Sequence, residues 1–200
     1  MNRLCFVLTV ALLLGGCSGM RLVESQVNAV SALAQASAAL NGARYRFERL
    51  PSQTDPVASD SEEAIAEAEL AEAGLVHDDA AARYTVQLST RTQSYFIDEW
   101  GRPYDGGRLR GSIMIGSGGF GNMIGLGMGT AFPPSTQYRH EVSLLMRDLA
   151  SGQIVYETNA THTGPWGDRY NILRALLAAA LQDFPNPPAG TRRVKVEIPR

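Results

Sequence analysis

The sequence predicts an α+β domain: one mainly antiparallel sheet, two helices packed on one face, and a long glycine-rich insertion between strands. Three observations predict it. Apolar and polar residues alternate in several segments, of which Arg83–Ile97, a strand at least to Thr92, and Gln137–Leu149 are the clearest. Apolar residues recur at helical spacing from Ile172 to Phe184. The order of elements is strand-rich: β-β-α-β, a glycine-rich stretch, then β-β-α-β.

The elements follow in order. Leu22–Val30 alternates, with Val23, Ser25, Val27 and Ala29 on one side, and reads as a short strand. Ser31–Leu40, rich in Ala, Ser and Gln, is a helical turn or a connector. Ala43–Leu50 is a strand with Tyr45 and Phe47 on one face, stopped by Pro51. Pro51–Asp60 reads as a polar loop. Asp60 then opens a helix with Glu63 completing a capping box, and Gly74 ends it. Its apolar face is thin: Ala64, Ile65, Ala68, Ala71 and Leu75. The acidic side is expected in water.

Tyr84, Val86 and Leu88 alternate with Thr85, Gln87 and Ser89 in the next strand. Tyr138, His140, Val142, Leu144 and Met146 share a face of the strand after the glycine-rich stretch. Ala150-Ser151-Gly152 turns the chain back into Gln153–Thr161, giving a β-hairpin. Asp168 is expected to cap the second helix, whose stripe is Ile172, Leu173, Leu176, Leu177, Ala180, Leu181 and Phe184, and Pro185 to end it. Val194, Val196 and Ile198 alternate in a final strand. One domain runs over residues 22–198.

Composition bounds the function. The chain has 200 residues, 44% apolar and 19% charged, with a net charge of -2. That apolar share builds a core and excludes a wholly disordered chain. A near-neutral balance argues against nucleic acid as a partner, because phosphate binding needs a concentrated basic surface.

The first residues carry the most specific signal. Met1-Asn2-Arg3 precedes an uncharged apolar run, Leu4–Leu14, then Gly15-Gly16-Cys17. One cation followed by about ten apolar residues is a signal-peptide pattern, too short for a spanning helix of ~20 residues. Leu14-Gly15-Gly16-Cys17 resembles the lipobox of bacterial lipoproteins. The resemblance implies a signal peptide over 1–16, lipidation of Cys17, and a short tether over 17–21. Acyl chains bury ~0.8 kcal/mol per methylene, so several chains anchor stably. Ser18 after the cysteine, by the enteric sorting rule, points to the periplasmic face of the outer membrane. Processing would remove Cys5 and leave Cys17 as the single, modified cysteine.

Residues 111–138 carry no charge, and Gly111–Gly129 reads GSIMIGSGGFGNMIGLGMG. Gly116–Gly121 matches G-x-G-x-x-G, yet no helix follows to complete a phosphate site. Gly121, Gly125 and Gly129 repeat at helix-packing spacing, but eight glycines at ~1 kcal/mol each oppose a helix. The preferred reading is an insertion between strands, with Phe120 and Ile124 as candidate contacts to lipid or a partner. Trp166, in Gly164-Pro165-Trp166-Gly167, is a third candidate contact, or a staple leading into the last helix.

No G-x-S-x-G elbow and no free mature cysteine are present. His77, His140 and His162 lack metal-ligand spacing. His77-Asp78-Asp79 is the densest polar trio, read as a solvated loop or a weak metal site. Glu141 and Glu157 would suit acid–base work only if a hairpin aligned them. The expectation is therefore no enzyme, no cofactor and no metal.

Several stretches together resemble the bacterial lipoproteins with a DUF4136 domain. These are Tyr45-Arg46-Phe47; Leu70-Ala71-Glu72-Ala73-Gly74-Leu75; Ala82-Arg83-Tyr84-Thr85-Val86; Leu145–Glu157; and the closing helix. The resemblance covers roughly 23–198 and carries over no catalytic residue. Such domains often hold a Trp where Val155-Tyr156 stands here. The expected role is a lipid-anchored, non-catalytic interaction module of the envelope, with an envelope protein as partner. The alternative is a carrier that binds a small ligand or lipid in a cleft between sheet and helices.

Overall fold

The computed structural model describes residues 19–33, 40–51, 53, 55–98, 100–104, 112–118, 121–127 and 134–199, the segments 112–118 and 121–127 as backbone. The leader and Cys17, part of the 31–40 connector, and Phe120 lie outside the described residues. The order is β1 (Met20–Ser31), β2 (Ala43–Phe47), α1 (Pro56–Glu72), β3 (Leu75–His77), β4 (Tyr84–Ile97), β5 (Ser112–Gly118), β6 (Gly121–Gly127), β7 (Ser135–Asp148), β8 (Ile154–Gly164), α2 (Arg169–Leu181) and β9 (Arg192–Pro199). The seven-stranded sheet runs β3-β2-β4-β7-β8-β1-β9, and β5-β6 form a separate ladder. The fold is the α+β class that alternation implied.

The chain divides into two compact units. The first holds the residues up to Thr92, His140–His162 and those from Asp168; the second holds Gln93–Arg139 and Thr163–Gly167. In the first, β1 pairs antiparallel with both β8 and β9, with Val27 opposite Ala160 and Val23 opposite Val196. The inward set of β1 is Val23, Ser25, Val27 and Ala29, as its alternation required. In β7 and β8, Val142, Leu144, Met146, Tyr156 and Ala160 face the same core.

Helix α2 closes that core. Its predicted stripe from Ile172 to Leu181 is buried, together with Ala175 and Ala179. The helix ends at Leu181, before Pro185. Phe184 instead leaves the helix and meets the Tyr156 ring edge-on at 4.9 Å. The Tyr156 hydroxyl (3.0 Å) and the Thr158 hydroxyl (3.2 Å) both donate to the Ala180 carbonyl. A helix end leaves such carbonyls without an internal partner, so β8 supplies it. Burial pushes the Tyr156 phenol up to about 12.

The sheet is not antiparallel throughout. β2 pairs parallel with β3 and with β4, Tyr45 lying opposite both His77 and Tyr84. The short β3 replaces the loop expected at His77: α1 returns the chain beside β2, and Gly74 (φ 89°) makes the turn. A Cβ there would come within 3.3 Å of Asn41 Oδ1, and the left-handed backbone suits glycine alone.

Helix α1 starts at Pro56, ahead of the start that the capping-box reading gave it. Pro56 occupies the first turn, where its missing N–H costs nothing. Asp55, not Asp60, caps it, accepting from Val57 N (3.1 Å) and Ala58 N (3.2 Å). Asp60 and Glu63 instead hold the Arg49 guanidinium. The buried side of α1 is also rotated: Ser59, Glu62, Ala66, Glu69 and Leu70 are buried, while Ala64, Ala68 and Ala71 are exposed. An Ala-rich helix has little apolar contrast, so ion pairing and Leu70 decide its rotation. Two glutamates thereby leave water. Burial, with Glu72 adding repulsion against the pull of Arg174, raises the Glu69 pKa.

Candidate functional site

The first unit presents a polar cleft where the start of α2 meets β4 and β7. Thr90, Arg91, Thr92, His140, Glu141 and Arg169 line it above Leu173 and Leu176. His140 is buried on the core face of β7, and its Nδ1 lies 3.2 Å from Thr92 Oγ1. Arg169 bonds Glu62, whose side chain is only 8% exposed, and so joins the two helices. The cleft encloses about 210 Å³ including its open mouth. Its cavity volume is only about 10 Å³, well under the ~300–1,000 Å³ of small-molecule pockets.

Asp168 stands at the N-cap of α2 but makes no capping hydrogen bond with its side chain. Its carboxylate is taken by Arg21 Nη2 (2.8 Å) and Asn171 Nδ2 (2.7 Å). Arg21 brings a full positive charge to the carboxylate, where a capping backbone N–H offers only a partial one. Arg21 holds the Asp168 carboxyl below the usual carboxylate range. A depressed folded pKa adds stability above the unfolded value and loses it as pH falls through the folded one. Asp168→Asn is therefore expected to flatten part of the acid limb of a melting-temperature-versus-pH curve. An unchanged limb would count against the pair.

His77 closes β3. Its ring stacks on Tyr45 (5.4 Å), its Nδ1 is 3.5 Å from Glu67 and its Nε2 3.3 Å from Asp79. Asp78 turns to Arg44 and to the Ala80 and Ala81 N–H groups. Among the described residues no group of three or more His, Cys, Asp or Glu is placed to hold a metal. His162 is buried, with Nδ1 2.8 Å from the Glu24 carbonyl, so that nitrogen carries the proton. Glu157 is exposed on β8 opposite Val30, and Glu141 is half-buried on β7 in the cleft.

In the second unit, Ile124 sits in β6 opposite Ile115. Trp166 is half-buried in the β8–α2 connection. Beside it, a Cβ on Gly167 would come within 2.9 Å of the Tyr138 ring, so any larger residue there would have to displace that ring.

The same unit carries a feature that sequence pattern missed. β4 loses its buried face beyond Thr90: Arg91 to Phe96 are all exposed. Phe96 is 54% exposed, Trp100 67%, and Tyr95 and Tyr104 over a third. The turn that follows is built rather than loose. Asp98 accepts from Trp100 N (3.0 Å), Arg102 N (2.8 Å) and Arg102 Nε (3.0 Å). Tyr104 N donates to the Phe96 carbonyl (2.8 Å), and Ile97 bridges Pro103. The Arg102 guanidinium lies 5.0 Å over the Trp100 ring. These bonds to Asp98 hold its carboxyl below the usual range. The available signal was four aromatics within ten residues without strand alternation.

Among the described residues no helix is long and apolar enough to cross a membrane. A search of curated proteins finds no match. Among solved structures, a PDZ domain protein from Parabacteroides distasonis is similar at 14% identity, with a TM-score of 0.50. The match covers 94% of this chain and 41% of that one. Likeness at that identity is one of fold. Two crystal forms of the PelC dodecamer from Paraburkholderia phytofirmans, one of them a leucine-to-methionine variant, align at 16% and 17% identity. Their TM-scores are 0.43 and 0.44, and both matches cover 78% of this chain and 94% of that one. The family model described as "Domain of unknown function (DUF4136)" matches residues 31–186, a span that takes in both helices and every strand between β2 and α2. The chain belongs to the DUF4136 family.

Proposed function

We propose that the protein is a non-catalytic interaction module held by lipid at Cys17 on the periplasmic face of the bacterial outer membrane. The observation that carries the reading is Leu14-Gly15-Gly16-Cys17 after a charged-then-apolar leader, placed three residues before β1 begins at Met20. Three residues of extended chain reach only ~10 Å, so the domain would stand directly on the bilayer. The filled core between sheet and helices, and the small volume of the cleft at Thr92 and His140, favour binding through an outer surface over carrying a ligand inside.

Cys17→Ala is expected to move the protein from the membrane pellet to the soluble periplasmic fraction. A variant that still sediments with membranes, resisting salt and carbonate washes, would count against the anchor.

A further inference from the structure

We infer that the aromatic turn formed by Phe96, Trp100 and Tyr104 is a second membrane contact, which seats in the headgroup region of the bilayer that holds Cys17. The inference rests on the anchoring reading above and adds a site to it.

Three observations lead there. The first is chemistry. Trp and Tyr carry an apolar body with a polar edge, and they concentrate where a membrane meets water. Here Trp100 and Phe96 are more than half exposed, and Tyr104, also exposed, is bonded through its backbone to Phe96. A soluble surface rarely leaves such residues together in water.

The second is preorganisation. Asp98 takes three N–H bonds within the turn, and Tyr104 is tied back to Phe96. These bonds hold the backbone at Trp100, Arg102 and Tyr104, which lowers the ordering entropy that opposes docking. The Asp98 charge is met by Arg102, whose guanidinium also stacks on Trp100. An arginine at that position can meet a lipid phosphate.

The third is connectivity within the first unit. Arg21 bonds Asp168, and the Glu24 carbonyl meets His162. Thr92 meets His140. The chain crosses out of that unit after Thr92 and after His162, and returns at His140 and Asp168. All four crossing points therefore lie at the end of the sheet where β1 begins, the end to which a lipidated Cys17 is tethered. The chain enters and leaves the second unit at those points.

The test uses the full, lipidated chain in vesicles of phosphatidylethanolamine with a minority of phosphatidylglycerol. Subtracting the Trp100→Phe spectrum from the wild type isolates Trp100 from Trp166. Trp100 is exposed, so that variant should fold. The expected result is a blue-shifted Trp100 component on vesicles, most of it quenched by lipids brominated high on the acyl chain. A component with water-like emission on vesicles overturns the inference, and so does one that is shielded but not quenched by brominated lipid. The latter would mean a protein cover, either a second copy or an envelope partner. The acyl mass on Cys17 reads the anchor separately. With acyl mass present and Trp100 unquenched, the turn fails and the anchor stands. With no acyl mass and no vesicle binding, both fail.

Discussion

Leu177→Ala is expected to lower the unfolding free energy by about 3–4 kcal/mol. Leu177 is fully buried on α2, within the cluster that joins this helix to β1, β8 and β9. Truncation removes the transfer energy of the lost methyl groups and leaves a cavity that the sheet cannot collapse to fill. Domains of this size hold about 5–15 kcal/mol in total, so about a fifth or more of the stability would go. The melting temperature should fall by roughly 10 °C, at about 2–4 °C per kcal/mol for a chain of this length. Urea unfolding followed by circular dichroism checks it, with the denaturant slope unchanged. A loss under about 1 kcal/mol would mean that α2 does not pack as described.

The second large effect is expected from Arg169→Ala. Arg169 bonds Glu62 across 107 positions of sequence, and the Glu62 carboxylate is almost wholly out of water. Removing the guanidinium leaves that charge buried without its partner. Breaking a buried pair costs about 3–5 kcal/mol. Arg169 itself is nearly half exposed, and water that enters the gap offsets part of this. The expected loss is about 2–3 kcal/mol. Glu62→Gln combined with Arg169→Ala should recover much of it, because a neutral amide needs no counter-charge. A double-mutant cycle by urea denaturation reads the coupling. Additive single and double losses would show that the pair contributes nothing beyond its packing.

Elements set by local periodicity were legible in the residues. The inward positions of β1, β7 and β9 and the stripe of α2 follow from alternation or helical spacing, because each has a clear apolar–polar contrast over five or more residues. Where contrast is weak, the reading slipped. Ala64, Ala68 and Ala71 suggested one face of α1, yet Ala66, Leu70 and two glutamates are the buried ones. Alanine buries so little area that a salt bridge can turn the helix. Pro56 read as loop, although proline suits the first turn of a helix. β3 has three residues, too few for any period to show.

The candidate contacts divide in the same way. The proposed anchor at Cys17 is legible because a lipobox is a linear motif. The aromatic turn was not, since β4 continues as a strand while losing its buried face, and only the fold shows which side of Phe96 and Trp100 meets water.

By itself, then, the sequence determined the fold class, the strand and helix faces with strong contrast, the family, and an expected anchor at Cys17. All of these depend on residues near one another in the chain. The tertiary structure alone decided the parallel pairing of β2 with β3 and β4, and the rotation of α1. It also turned Asp168 away from its helix toward Arg21, and joined Glu62 to Arg169. Each of those outcomes is a competition between partners far apart in sequence. Burial and charge settle such a competition only once the chain has folded.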